Sequence, residues 1–116
     1  MEAGDLLRGA RFEDEVALAA WPMELREQAT GARLKFPENG QPCGIPLRAL
    51  RSKSKENLFA AGRCLSSSHE AQASLRVIGT CLATGEAAGI AASLLASGRE
   101  CEAGAVREAQ EKRAAQ

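Results

Sequence analysis

The sequence predicts a small α+β fold: short strands and a hairpin, then a buried strand, a polar loop and a long Gly/Ala-rich helix. Three observations lead there. Between residues 15 and 50 the apolar residues come in short runs and alternations interrupted by Pro and Gly, the pattern of strands rather than helices. Residues 77–96 run without a proline, and small residues recur there at spacings of three and four, the period of a helix. At 116 residues, with three Phe, one Trp and no Tyr, the chain has room for one small core built from Leu, Val, Ile and many Ala. Such a core buries little apolar area per residue, so low independent stability is expected.

In chain order, Asp5-Leu6-Leu7-Arg8 reads as a short helix or helical turn that Asp5 caps and Gly9 ends. Residues 15–21 form a mostly apolar strand stopped by Pro22, and Trp21 is held extended because it precedes that proline. Ala32-Arg33-Leu34-Lys35-Phe36 alternates apolar and basic residues, as a half-buried strand does. Pro37-Glu38-Asn39-Gly40 is turn chemistry. Ile45-Pro46-Leu47-Arg48-Ala49-Leu50 alternates again, with Pro46 favouring an edge or a strand start. The simplest pairing joins these two runs as a hairpin around a long loop, residues 36–45. Residues 51–56 read as a charged surface connection. Leu58-Phe59-Ala60-Ala61, short and wholly apolar, reads as a strand buried inside a sheet. The long helix is expected to turn Cys81, Gly85, Ala88, Gly89 and Ala92 toward a neighbouring backbone. After Gly98 the chain becomes polar, and Val106 is the one large apolar residue of segment 105–116. A solvated or frayed tail is therefore expected there rather than a docked helix.

Several function classes are disfavoured. Fifteen Lys and Arg offset fifteen Asp and Glu with the signs intermixed, so no nucleic-acid partner is expected. Cys43, Cys64, Cys81 and Cys101 form no CxxC pair, and the single His69 has no thiol at close spacing, so no metal site is expected. Scattered thiols without a leading signal peptide suit a reducing, cytoplasmic setting. Cys64 and Cys81 read as small packing residues, and Cys43 and Cys101 as exposed. Residues 77–96 match a bilayer span in length but consist mostly of Ala, Gly, Thr and Ser, with Glu86 near the middle. A mid-membrane acid costs about 2.5–3.5 kcal/mol, which so few large apolar residues do not offset, and no membrane partner is expected.

The residues that invite a functional reading lie between Asn57 and Gly89. The apolar run 58–61 ends in Gly62-Arg63, a polar loop carries Ser66, Ser67, Ser68, His69 and Glu70, and Ser74-Leu75-Arg76-Val77-Ile78 leads into the long helix. A strand end, a glycine, a polar loop and a helix start are what close backbone contact with a nucleotide cofactor requires. His69 alone titrates naturally near neutrality, and serves either substrate binding and proton relay or the hydrogen bonding of its own loop. Arg76 either holds an anionic group or pairs with Glu70 or another acid. Arg63 either contacts phosphate or ribityl oxygens or is plainly solvated. Ser74 is an N-cap by residue type.

Taken together, Gly44-Ile45-Pro46-Leu47-Arg48-Ala49-Leu50, Asn57-Leu58-Phe59-Ala60-Ala61-Gly62-Arg63-Cys64, Ser66, His69-Glu70-Ala71, Ser74-Leu75-Arg76-Val77, Thr80-Cys81 and Gly85-Glu86-Ala87-Ala88-Gly89 resemble the C-terminal end of a family of FAD-dependent oxidoreductases. These are related more distantly to the flavoprotein subunits of fumarate reductase and succinate dehydrogenase. Upstream, Arg11-Phe12, Asp14, Val16-Ala17-Leu18 and Ala19-Ala20-Trp21-Pro22 extend the likeness, which thins beyond Gly98.

The resemblance implies the C-terminal part of a two-domain FAD-binding flavoprotein fold. Residues 1–50 would be the end of a substrate-domain-like segment, 51–98 a flavin-completing strand, loop and helix, and 99–116 a polar helical or disordered tail. Gly62 and Arg63 would approach the ribityl or pyrophosphate region, and Ser74 the same cofactor. Arg76, Val77 and Ile78 would direct the helix N-terminus at the flavin pyrimidine edge, where reduced flavin gathers negative charge. His69 and Arg76 would carry the catalytic roles beside a small-molecule substrate. The family's GxGxxG turn, which holds the ADP half of FAD, occurs nowhere in this sequence. The expected role is therefore a C-terminal fragment of the oxidoreductase, inactive alone and binding FAD weakly or not at all. The alternatives are a subunit that needs the N-terminal half on another chain, or a non-enzymatic α+β domain without cofactor.

Overall fold

A computed structural model describes residues 1–115, apart from the side chain of Gln28. The chain opens with helix α1 (Ala3–Arg8), where the Asp5 carboxylate accepts from the Glu2 N–H at 2.9 Å and Gly9 ends the helix at φ 58°. Gly9 ends the helix as the sequence reading has it, whereas the helix starts two residues earlier than expected, with Glu2 at the N-cap and Asp5 reaching back to it from the third helical position. A side chain at that φ is disfavoured, so glycine is the natural stop.

Strand β1 (Glu15–Ala19) follows and pairs antiparallel with β4 (Cys43–Pro46), with Ala17 opposite Ile45 and Ala19 opposite Cys43. Between them, β2 (Met23–Gln28) and β3 (Gly31–Lys35) form their own antiparallel hairpin. The expected hairpin across residues 36–45 is thus replaced by two separate two-stranded sheets. The reason lies in Met23-Glu24-Leu25-Arg26, whose alternation of buried and outward residues makes a strand directly after Pro22. That strand captures β3 as its neighbour and leaves β4 free to return to β1. β3 is a strand as expected but not half-buried, since Leu34 and the adjoining Phe36 face outward.

Of the run 45–50 only Ile45 and Pro46 are extended. Leu47–Leu50 closes into one turn of helix, α2, which directs Leu47, Ala49 and Leu50 inward. Residues 58–61 also depart from expectation: they form no strand, Phe59 makes a single antiparallel bridge to Arg51, and Leu58 is 54% exposed. The Ala60 N–H donates to the Leu50 carbonyl and the Ser52 N–H to the Leu58 carbonyl, so a narrow turn-back stands where the buried strand was expected.

A 3-10 turn (Gly62–Cys64) leads to helix α3 (His69–Leu75), capped by Ser68, whose Oγ accepts from the Ala71 N–H. The 19-residue helix α4 (Ile78–Ala96) crosses β1 and touches α2, the 3-10 turn and α5. Its buried stripe is Thr80, Thr84, Ala87, Ala91 and Leu94. The face expected from the sequence lies to the side of this stripe: Cys81 and Ala88 border it, while Gly85, Gly89 and Ala92 are exposed.

Helix α5 (Ala103–Ala114) corrects the expectation of a solvated tail. Val106 is fully buried, Arg107 donates to the carbonyls of Glu13 and Glu15, and Gln110 donates to that of Val16. Val106 and the small Ala103 suffice as apolar anchors because these side chains also satisfy carbonyls on and just before β1. The core joins Leu6, Val16, Met23, Leu25, Ile45, Leu50, Leu75, Leu94 and Val106 into one cluster. Cys43 and Cys101 belong to that cluster, against the expectation of exposure, whereas Cys64 is exposed and packs nothing away.

Candidate functional site

The site is built around the seat of the Gly62 turn on the first turns of α4. Gly62 adopts φ 60°, and a Cβ placed there would stand 3.3 Å from the Cys81 Sγ. Its N–H donates to the Thr84 Oγ1 at 3.0 Å, and that hydroxyl donates to the Thr80 carbonyl at 2.9 Å. A glycine is needed twice over, for the left-handed backbone and for the close approach. Arg63 projects into solvent, while its carbonyl accepts from the Gln72 Nε2 at 3.0 Å. Gln72 also accepts from the Ser67 Oγ at 2.7 Å, tying the polar loop to the turn.

The chain then bends sharply between α3 and α4. Arg76 ends α3, and Val77 is extended (φ −72°, ψ 151°) as the residue preceding α4. The first intrahelical bond of α4 runs from the Cys81 N–H to the Val77 carbonyl at 2.9 Å. Valine offers no side-chain acceptor, and among the described residues nothing else caps the N–H groups of Ile78, Gly79 and Thr80. Free donors and the positive end of a 19-residue helix dipole therefore coincide at one spot. That spot is open: Ile78 is 80% exposed, and a Cβ added at Gly79 would meet nothing. Ser74 does not cap this helix. It is fully buried near the end of α3, and its Oγ donates to the Trp21 carbonyl.

Beside the bend, α3 and β2 enclose a groove of about 470 Å³ lined by His69, Gln72, Ala73 and Arg76 on one wall and Glu24, Leu25, Arg26 and Glu27 on the other. His69 and Arg76 stand seven residues apart on one helix face, about 10 Å along its axis. Of the partners weighed for Arg76, the structure selects another acid over Glu70: its Nη2 lies 3.7 Å from the Glu24 Oε2. Glu24 also accepts from Arg26, and that hydrogen bond is the main cause holding its carboxyl below the ordinary value. Arg76 on the helix wall thus faces the Glu24 carboxylate across the groove, and Arg26 holds the same carboxylate from its own strand. The exposed His69 imidazole lines the same groove, on the helix wall opposite Glu24.

Sequence reasoning passed over three participants. Glu24 was signalled by the alternation in residues 23–26. Thr84 was signalled by its pairing with Thr80 one turn earlier inside a Gly/Ala helix, since a hydroxyl there has few outlets except backbone. Gln72 carries no signal in the sequence.

The family model described as FAD dependent oxidoreductase matches residues 1–112, and the chain belongs to that family. No curated protein and no solved structure matches it. The donors at the bend fit the group the family name implies: uncapped N–H groups at a positive helix end suit the oxygen- and nitrogen-rich edge of a flavin ring. Gly62, Arg76, Val77 and Ile78 are brought to this bend, Arg63 stands at the solvent side of the glycine turn, and Ser74 lies beneath it.

Proposed function

We propose that this chain supplies the flavin-completing segment of an FAD-dependent oxidoreductase and works together with a dinucleotide-binding half that lies outside these residues. The observation carrying the proposal is the open, uncapped start of α4 beside the Gly62 turn, in a chain of this family. Bound FAD would supply hydride transfer at its N5, to or from a small organic substrate. The backbone N–H groups of Ile78, Gly79 and Thr80, presented by Val77, bind and orient the pyrimidine edge and stabilise negative charge there. Gly62 allows close approach of the ribityl region, and Arg63 offers a cation to oxygens nearby. Arg76 and His69 face the substrate, with His69 able to hold or release a proton. Ser74 keeps the bend in place through its bond to Trp21.

The surface supports the need for a partner. The accessible area is 7206 Å², against roughly 6,100 Å² expected for a folded monomer of this mass. The excess is of the order that one side of a standard interface covers, about 800 Å². Ile78 and Leu82, one turn apart at the start of α4, are 80% and 70% exposed, which is unusual for large apolar side chains.

Fluorescence titration of the purified chain with FAD tests the reading. Weak or absent quenching alone, and tight quenching once a polypeptide carrying a GxGxxG unit is added, is the expected result. A stoichiometric yellow complex that turns over without a second chain would refute it.

A further inference from the structure

A second concave region lies away from the α3–α4 bend. Two grooves, of about 750 and 370 Å³, share Phe12, Arg48 and Arg51 in their walls. The smaller one has an apolar floor of Phe12, Pro46 and Ala49, and its charged lining is Arg48, Arg51, Lys53 and Asp5 together with the Met1 ammonium, which donates to the Ser66 carbonyl at 2.9 Å. Two of those charges are already answered. Arg48 pairs with Asp14 while its guanidinium lies over the Phe12 ring at 5.0 Å, and Asp5 pairs with Arg8 at 3.1 Å. Arg51 and Lys53 have no acidic partner among the described residues. The Arg51 guanidinium lies 5.9 Å from the Phe59 ring centre, an arrangement that steadies it while leaving its N–H edges free to donate.

The backbone carrying these two cations is pinned. The Ser52 Oγ accepts from the N–H groups of Ser54 and Lys55, and the bridge of Arg51 to Phe59 closes the base of the turn. Two uncompensated cations on a pinned turn, one a planar fork and one a point charge, match a dianion with several oxygens. The apolar floor beside them matches a ring or short hydrocarbon. We propose that this groove binds a small phosphate monoester, its phosphoryl group held by Arg51 and Lys53 and its organic body seated on Phe12, Pro46 and Ala49. The site is independent of the flavin reading, because it shares no residue with the bend.

The test is titration of the full chain with phenyl phosphate in phosphate-free buffer, followed by calorimetry and by amide chemical shifts. Saturable 1:1 binding is expected, with shifts confined to residues around 12, 46–53 and 59, and inorganic phosphate should bind more weakly. Arg51→Ala and Lys53→Ala should each weaken binding about tenfold. Lys55→Ala, which removes a cation of the same turn that does not line the groove, should change it less than about twofold. Absence of saturable binding, or an equal loss in Lys55→Ala, would overturn the proposal. A sedimentation arm with phosphatidic acid vesicles separates the sources. Co-sedimentation lost in Arg51→Ala with Lys53→Ala supports the same phosphoryl site filled by a lipid headgroup, and a free monoester predicts none.

Discussion

Replacing Gly62 with alanine tests the central joint of the candidate site. At φ 60° an alanine pays roughly 1–2 kcal/mol for left-handed backbone. Its Cβ would stand 3.3 Å from the Cys81 Sγ, a contact that forces a few tenths of an ångström of adjustment where the turn meets α4 and adds about 1 kcal/mol. The sum, about 2–3 kcal/mol, lowers the midpoint of thermal unfolding by roughly 8–12 °C in a chain of this size. Gly85→Ala is the matched control, because Gly85 lies on α4 with open space around it. There the same substitution improves helix propensity and raises stability by about 0.5–1 kcal/mol. Circular dichroism melts of both variants give the answer, and Gly62→Ala in a Cys81→Ala background isolates the backbone cost from the contact. A Gly62→Ala protein that melts at or above the parent, or a Gly85→Ala protein that falls equally, would refute the reasoning.

Thr84→Val should cost about 1–3 kcal/mol in urea unfolding, since it strands the buried Gly62 N–H, and Thr84→Ser should recover part of that loss. Val106→Ala should cost about 2 kcal/mol and make helix α5 the first segment cut in limited proteolysis, because Val106 is the only fully buried anchor of that helix. Thiol labelling at pH 8 should modify Cys64 quickly and leave Cys43 untouched until the chain unfolds, because burial pushes the Cys43 thiol up to about 11. The hydrogen bond from Arg11 holds the Glu15 carboxyl below its ordinary 4.5, so its stabilisation is complete above that value and is lost as pH falls through the lower folded-state value. The stability gap between the parent and Glu15→Gln should therefore close on acidification below about pH 4.5, as urea midpoints across pH would show.

The parts of the fold legible in the sequence are those set by local chemistry. Gly9 stops α1 because its backbone must be left-handed, and the apolar run before Pro22 is visible as β1, although the strand ends at Ala19 rather than at Trp21. The long helix is visible in its own period. What escaped is tertiary. Periodicity marks residues 32–36 as a strand, yet burial depends on what lies beneath them, and among the described residues no layer covers Leu34 and Phe36. The run 58–61 is apolar enough for a buried strand, but the neighbours it would pair with are already joined as β1 and β4. Val106 looks like too little to dock a helix until Arg107 and Gln110 are seen donating to β1 carbonyls, polar bonds that a count of apolar residues does not register. At the candidate site, Gly62 and the start of α4 were legible because both are backbone features with residue signatures. The Arg76–Glu24 pair was not, because it joins two elements far apart in the chain.

The two faces of α4 divide the work of this chain. The stripe from Thr80 through Thr84, Ala87 and Ala91 to Leu94 holds the domain together, and it does so with small side chains and one hydroxyl relay rather than with bulk. The opposite face, with Ile78, Leu82, Gly85 and Gly89, contributes nothing to that packing and carries large apolar groups in water. Those exposed groups are not accounted for by the fold of these residues alone, and they begin at the helix end whose N–H groups are uncapped. A partner seated on that face would both cover the apolar side chains and exclude water from the donors, where the low dielectric strengthens their hold on a developing negative charge. Assembly and cofactor orientation would then be one event, and flavin chemistry would arise in this chain only in company.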